Sequence, residues 1–261
     1  MTVSDPFPVT RLRLADPQVE PAATEPMGSK RKYWLHIPDR PRPWLFKYSR
    51  SSDGQVVGEH WSEKLGSEFA RLLGLPAATV ELATLDGEWG SLSESFTDRD
   101  SPLIHGNDLL AGHDQSYQRE SSGREPQHRI DRIFSALAWA TPEGERLHEI
   151  IQQFAGMLVL DAMILNTDRH HENWGVLMAT PEGAQADLRL APSFDHASSL
   201  ARNEPEQRCA EWLSDRSLDR IAWYAKRAPG AIWLSEGSPR GPSPLNLVVT
   251  LHGQDRALCA P

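Results

Sequence analysis

Asn166-Thr167-Asp168-Arg169-His170-His171-Glu172-Asn173-Trp174-Gly175, followed by Ala191-Pro192-Ser193-Phe194-Asp195-His196, is the stretch on which the reading of this chain turns. An apolar helical run through Phe154, Leu158, Ala162 and Leu165 stops there in a cluster of Asp, Arg, His, Glu and Asn side chains. Polar density of that kind at the end of a buried helix points to a site. Asp168 and Asn173 share one loop. Asp195 follows a hairpin predicted from Gly175-Val176-Leu177-Met178, a Pro181-Glu182-Gly183 turn and Leu188-Arg189-Leu190. That layout sets a carboxylate, an amide and a second carboxylate at the mouth of one hairpin. Phosphoryl transfer requires such a set: a carboxylate to orient the attacking hydroxyl, and oxygen ligands for Mg²⁺.

The chain around this stretch has 261 residues and 29.2 kDa, enough to bury a sizeable core as one large domain or two lobes. A net charge of -9 argues against nucleic acid as the main partner. No apolar run reads as long enough to span a bilayer, and Met1 to Pro6 lacks the profile of a signal peptide, so a cytoplasmic location is expected. Two cysteines, Cys209 and Cys259, give neither a disulfide framework nor a zinc spacing.

Upstream, residues 1–25 show no sustained period and read as an extended arm with a short strand at Val9 to Leu14. Gly28-Ser29-Lys30-Arg31-Lys32 then enters a strand through Tyr33 to Ile37, and Trp44-Leu45-Phe46-Lys47-Tyr48 forms the next. Gly28, Ser29, Lys30 and Lys32 could cradle phosphates through backbone N–H groups and cationic side chains, or form an ordinary solvated turn. Alternation puts Leu45, Lys47 and Ser49 on one face and Trp44, Phe46 and Tyr48 on the other. A lysine inside a core strand needs a charged partner to offset desolvation; at a sheet edge it simply points to water.

Glu59 to Leu73 reads as an amphipathic helix with Trp61, Leu65, Phe69, Leu72 and Leu73 on its apolar side, ended by Gly74-Leu75-Pro76. On a helical wheel Glu68 falls beside Leu65 and Leu72, whereas Glu63 projects from the far side. Thr79 to Ala83 and Gly90 to Phe96 alternate as two antiparallel strands around Asp86-Gly87. Residues 98–128 are polar and rich in Gly and Ser, which predicts a long loop or flexible insertion. Helices follow from His128 onward and over Arg146 to Leu165. Ala197-Ser198-Ser199-Leu200 is expected to start a helix or an activation-like segment. Trp212, Trp223 and Trp233 are expected to pack.

Asp168-Arg169-His170-x-x-Asn173, followed by an Asp after the next strands, resembles the catalytic and metal loops of the HipA-like kinases and of their relatives, the phosphatidylinositol 3/4-kinases. Ordinary protein kinases carry the order His-Arg-Asp and a later Asp-Phe-Gly; Phe194-Asp195-His196 departs from that pattern toward the HipA-like branch. The resemblance implies an α+β, bilobal protein-kinase-like fold. Residues 26–96 would form a small antiparallel sheet with one helix, and residues 97–261 a mainly helical lobe. It also implies ATP and Mg²⁺ as cofactors and a hydroxyl-bearing acceptor, most simply a protein. Asp168 would be the base or orienter, supported by Arg169 and His170; Asn173 and Asp195 would bind the metal. Lys47 would hold the phosphates, paired with a helix glutamate. The wheel favours Glu68 and the family landmark Trp61-Ser62-Glu63 favours Glu63. Backbone groups near Glu94, Ser95 and Phe96 would receive adenine. No counterpart of the separate amino-terminal domain of HipA is read, so neither a toxin role nor an antitoxin partner is implied.

Two other readings use the same residues. A metal-dependent phosphohydrolase would draw ligands from His170, His171, Asp195 and His196, although adjacent histidines diverge and Lys47 and Asn173 are left without a role. A nucleotide-binding pseudokinase scaffold would keep the fold without turnover.

Overall fold

The computed structural model describes residues 7–16, 20–24, 31–52, 54–121, 124–179, 187–214 and 219–258, of which 20–24 and 255–258 are described by their backbone alone. Gly28, Ser29 and Lys30 lie outside the described residues, as does the Pro181 to Gly183 turn.

The first lobe is built on a six-stranded sheet of β1 (Val9–Leu12), β2 (Glu20–Thr24), β3 (Lys32–His36), β4 (Trp44–Tyr48), β7 (Val80–Leu85) and β8 (Glu88–Glu94), in the order β1-β7-β8-β4-β3-β2. All pairings are antiparallel except β1 with β7. The arm predicted for residues 1–25 thus supplies both edge strands. Alternation in β4 sends Trp44, Phe46 and Tyr48 into a core with Leu12, Leu35, Ala83, Leu85 and Leu92, which leaves Leu45 and Lys47 facing the other way. Asp86 (φ 52) and Gly87 (φ 84) join β7 to β8 as a two-residue turn with both φ positive, whose twist suits a hairpin. Between β4 and β7 the chain runs through the short pair β5 (Ser51–Ser52) and β6 (Gln55–Val56) and then α1 (Glu59–Leu72).

The second lobe contains α2 (Gly106–His113), α3 (Ile130–Ala140), α4 (Glu145–Ile164), α5 (Glu206–Ser214), α6 (Asp219–Arg227) and α7 (Pro244–Leu258). Its three-stranded sheet is ordered β11-β10-β9, from β9 (Leu103–His105), β10 (Gly175–Ala179) and β11 (Asp187–Leu190). Ile133, Leu137, Ile150, Phe154, Met157, Trp174 and Val176 form its core. Among the described residues α4 alone is long and apolar enough to cross a membrane; it is the core helix of this lobe, burying Ile150, Phe154, Leu158, Leu160 and Ile164.

Two expectations fail here. The segment 98–128, predicted as a flexible insertion, contains β9 and α2, because β9 completes the sheet beside β10 (Gly175 opposite His105) and Tyr117 is buried against His171 at 2.8 Å. Of the helix or activation-like segment expected from Ala197 to Leu200, the helix is not formed: these residues make turns, and the next helix begins only at Glu206. Of the tail tryptophans Trp233 is buried, whereas Trp223 is 57% exposed.

His128 ties three parts of this lobe together. Its Nδ1 lies 2.7 Å from the Ala231 carbonyl, and Trp174 Nε1 lies 3.0 Å from its Nε2. A carbonyl cannot donate and an indole N–H cannot accept, so the ring carries its proton on Nδ1 and is neutral. Burial depresses its pKa to about 3. The unfolded chain gains a proton below about pH 6.5 while the folded chain does not, so stability falls as pH drops from there toward 3. The loss is about 1.4 kcal/mol per pH unit for this group. Denaturant melts of wild type and His128→Asn between pH 7.5 and 5 check this: the variant is less stable at pH 7.5 but its pH slope is shallower by about one proton. An unchanged slope would assign the dependence elsewhere.

Candidate active site

The catalytic-type loop begins where α4 stops. Leu165 takes a left-handed conformation (φ 53), and the chain leaves the helix as Asn166 turns back to bond the Asp161 carboxylate at 2.9 Å. Arg169 then points inward, away from Asp168. Its Nε and Nη2 grip both Asp161 carboxylate oxygens at 2.9 and 2.8 Å, Nη1 bonds the Asn173 and Phe194 carbonyls, and Nη2 bonds Ser193 Oγ. Burial works against the Arg169 charge, but Asp161 outweighs it and raises the pKa above the ordinary value. Arg169, expected to give Asp168 structural or electrostatic support, in the structure fastens the Asp168 loop to the loop that bears Asp195.

With both loops fixed, Asp168, His170, Asn173 and Asp195 line one cavity of about 580 Å³ together with Lys47, Glu63 and Lys32 from the first lobe. The Asn173 side-chain amide donates to the Asp168 carbonyl at 2.8 Å, which leaves Oδ1 as the end available to a cation. Asp195 sits in left-handed backbone (φ 57), a conformation Asp tolerates better than most residues. Its Oδ2 meets Lys47 Nζ at 3.0 Å. Glu94, Ser95 and Phe96 also line the cavity, with Phe96 against Phe194 at 5.4 Å. The Ser95 amide is already bonded to the Pro43 carbonyl, and Arg42 bonds the Ser95 carbonyl, so Ser95 braces the connection between the lobes.

Of the two helix glutamates, Glu63 lines the cavity and Glu68 does not. Glu68 is held by Lys64 and Arg71 on its own helix. The wheel misled because the buried face of α1 is Glu59, Ser62, Glu63, Gly66, Ser67 and Ala70, whereas Leu72 is 82% exposed. Small and polar groups are buried because that face docks on backbone: Ser62 Oγ donates to the His196 and Ser199 carbonyls, and Ser67 Oγ to the Ala78 carbonyl. Gly66 allows the closest approach, for a Cβ there would lie 2.4 Å from His196 Cβ. Glu63 Oε1 faces His196 Nδ1 at 3.7 Å. Burial alone would push the Glu63 carboxyl up, but His196, with Lys47 nearby, holds it below the usual carboxylate range.

The histidines do not assemble as metal ligands. His171 is fixed between Tyr117 Oη and the Ser121 carbonyl, both at 2.8 Å, and His196 Nε2 lies 2.8 Å from Ser193 Oγ beneath α1. Among the described residues no group of three or more His, Cys, Asp or Glu side chains is placed to hold a metal ion. Sequence reasoning missed the roles of Asp161 and Ser193, and it placed His196 only among the ligands of the hydrolase reading, not against Ser193 and Glu63. Asp161 left one signal, an acidic residue on the apolar face of a core helix eight positions before Arg169. The other two are legible only from their contacts.

The fold and this cleft define the class, an α+β protein with the bilobal protein-kinase-like architecture. The chain belongs to the family of the HipA-like C-terminal domain, whose profile matches residues 24–233. Among solved structures, the Helicobacter pylori proinflammatory kinase CtkA has the same fold, with a TM-score of 0.71 at 18% identity over 90% of this chain and 75% of that one. HipA from Shewanella oneidensis MR-1, in a complex of its toxin–antitoxin system with HipB and operator DNA, aligns with a TM-score of 0.42 at 16% identity over 82% of this chain and 61% of that one. No curated protein matches the chain.

Two substitutions test the scaffold. Arg169→Lys cannot reproduce five hydrogen bonds and leaves the buried Asp161 carboxylate underpaired, so denaturant unfolding should show a loss of about 3 kcal/mol. Gly66→Ala improves helix propensity by about 1 kcal/mol, yet its Cβ meets His196. A lower melting temperature for this variant is therefore expected, and a higher one would show that α1 does not dock tightly.

Proposed function

We propose that the cleft binds ATP with Mg²⁺ and transfers the γ-phosphate to a hydroxyl acceptor, most simply Ser or Thr of a protein. The observation that carries this reading is the convergence of Lys47, Glu63, Asp168, Asn173 and Asp195, which come from distant parts of the sequence, on one cavity. Its volume lies in the range of small-molecule and cofactor sites.

The lining also fits a divalent cation. Glu63, Glu94, Asp98, Asp168, Glu172 and Asp195 face Lys32 and Lys47, an acidic balance that would repel a triphosphate unless a cation offset it. Asn173 Oδ1 and the Asp195 carboxylate are hard oxygen donors of the kind Mg²⁺ takes, and the metal, when bound, neutralises phosphate charge. Lys47 is held beside the same place by Asp195 and is positioned to receive phosphate oxygens. Asp168, fixed by its loop, accepts the hydrogen bond of the incoming hydroxyl and takes its proton as the new O–P bond forms and the bond from the γ-phosphorus to the bridging oxygen breaks, with ADP leaving. Phe96, Leu45, Ala78 and Phe194 line the apolar part of the cavity, which suits a purine.

A histidine-metal phosphohydrolase is disfavoured because His171 and His196 are both bonded into the core. A pseudokinase keeps binding and loses transfer, and measurement separates the readings. Mg²⁺ and ATP should raise the melting temperature of the wild type, and Lys47→Ala and Asp195→Asn should abolish most of the shift. Asp168→Asn should keep that shift and lower transfer of labelled γ-phosphate by about 10²–10⁴-fold. Transfer that survives in Asp168→Asn, or vanishes only in His171→Ala and His196→Ala, would overturn the assignment. ATP binding without transfer by the wild type would favour the scaffold.

A further inference from the structure

The turns after Asp195 return to Asp168. Ser198 Oγ lies 3.3 Å from Asp168 Oδ2, and Arg202 Nη2 lies 3.2 Å from the same Oγ. Arginine cannot accept a hydrogen bond, so Ser198 must accept from Arg202, and its single proton is directed at the Asp168 carboxylate. The Ser198 backbone is tied to the same loop, for its carbonyl accepts from the Thr167 N–H at 3.3 Å. Arg202 is in turn ion-paired with Glu59, its Nη2 lying 3.2 Å from Glu59 Oε1, and both side chains are buried. Glu59 is the first residue of α1 and also accepts from the Arg50 N–H and Nε. One turn further along, Ser62 docks α1 on the Ser199 carbonyl.

Two further features mark this path as built. Leu200 (φ 56) and Ala201 (φ 52) are successive non-glycine residues in left-handed backbone, a conformation disfavoured for L side chains, immediately before Arg202. Strain of that kind persists where the surroundings hold it and clusters at functional positions. Burial also presses the Arg202 pKa below its ordinary value, opposed first by Glu59 and, more weakly, by Asp168 and Asp195. The guanidinium therefore depends on Glu59 while acting on both carboxylates of the cleft.

We propose that Ser198 and Arg202 are positioning residues for Asp168 and that, with Glu59, they form a relay that orients the Asp168 carboxylate only while α1 is docked. The relay rests on the kinase reading of the cleft. It makes α1 a control element through its first residue, separately from the Glu63 side of the same helix. Withdrawal of α1 removes Glu59 and leaves the Arg202 charge to compete for Asp168 with the acceptor hydroxyl.

The test is steady-state transfer of labelled γ-phosphate by the full chain, with the thermal shift by Mg²⁺ and ATP measured in parallel. Ser198→Ala should lower kcat by about tenfold or more, with KM for ATP and the thermal shift close to wild type, because orientation and not nucleotide binding is lost. Ser198→Thr, which keeps the hydroxyl, should restore most of the rate. Glu59→Gln should also lower kcat, and adding it to Ser198→Ala should cost little more, as members of one network are not additive. Should Ser198→Ala fold poorly, Glu59→Gln and Ser198→Thr decide the matter. A wild-type kcat in Ser198→Ala or Glu59→Gln, or a loss in Ser198→Ala matched by an equal rise in KM, overturns the relay alone. Recovery of the label on Ser198 itself does the same, by showing the hydroxyl to be a substrate. ATP binding with no transfer by the wild type overturns the kinase reading and the relay with it.

Discussion

The buried pair of Arg169 and Asp161 is the constraint on which the cleft depends. Arginine has five N–H donors, and here they make five bonds, two to Asp161 on α4, one to Ser193 and one each to the Asn173 and Phe194 carbonyls. A single side chain thereby fixes the spacing between the loop that bears Asp168 and the loop that bears Asp195. Lysine offers a point charge and three rotatable donors and could not hold this geometry. An ion pair out of water is weak support for stability as such, because desolvation offsets most of its attraction. Its value here is positional, since it makes two loops from either side of the β10–β11 hairpin into one rigid wall.

The opposite wall is α1, and its chemistry inverts the usual pattern. Surface helices bury a stripe of large apolar residues; α1 buries Glu59, Ser62, Glu63, Gly66, Ser67 and Ala70. The reason lies in what it packs against. The Asp195 loop presents carbonyl oxygens of His196 and Ser199, which need hydrogen-bond donors, and a His196 side chain whose Cβ would lie 2.4 Å from a Cβ at position 66. Apolar packing adds to these contacts where Ala70, with Phe69 beside it, meets Leu160 and Ile164 of α4. The two carboxylates it carries inward, Glu63 toward His196 and Glu59 toward Arg202, report that docking to the cleft.

The sequence by itself determined the loop chemistry and most of the elements. Asp168, Asn173 and Asp195 were legible because acidic and amide groups end an apolar helix, and Lys47 because alternation in β4 isolates it from Trp44, Phe46 and Tyr48. The Asp86-Gly87 hairpin and α4 follow equally from local rules, since turn geometry and the spacing of apolar residues are properties of neighbours in the chain. Tertiary structure alone decided the rest. Glu63 and not Glu68 lines the cavity because the buried face of α1 docks on carbonyls of the Asp195 loop, a partner that no wheel registers. The polar segment 98–128 holds a strand and a helix because β9 finds an edge at β10 and Tyr117 finds His171, partners more than 50 residues away. Arg169 is engaged by Asp161 because desolvating a guanidinium demands a full set of acceptors, and those acceptors are assembled only when α4, the Asn173 turn and the loop of Ser193 and Phe194 meet.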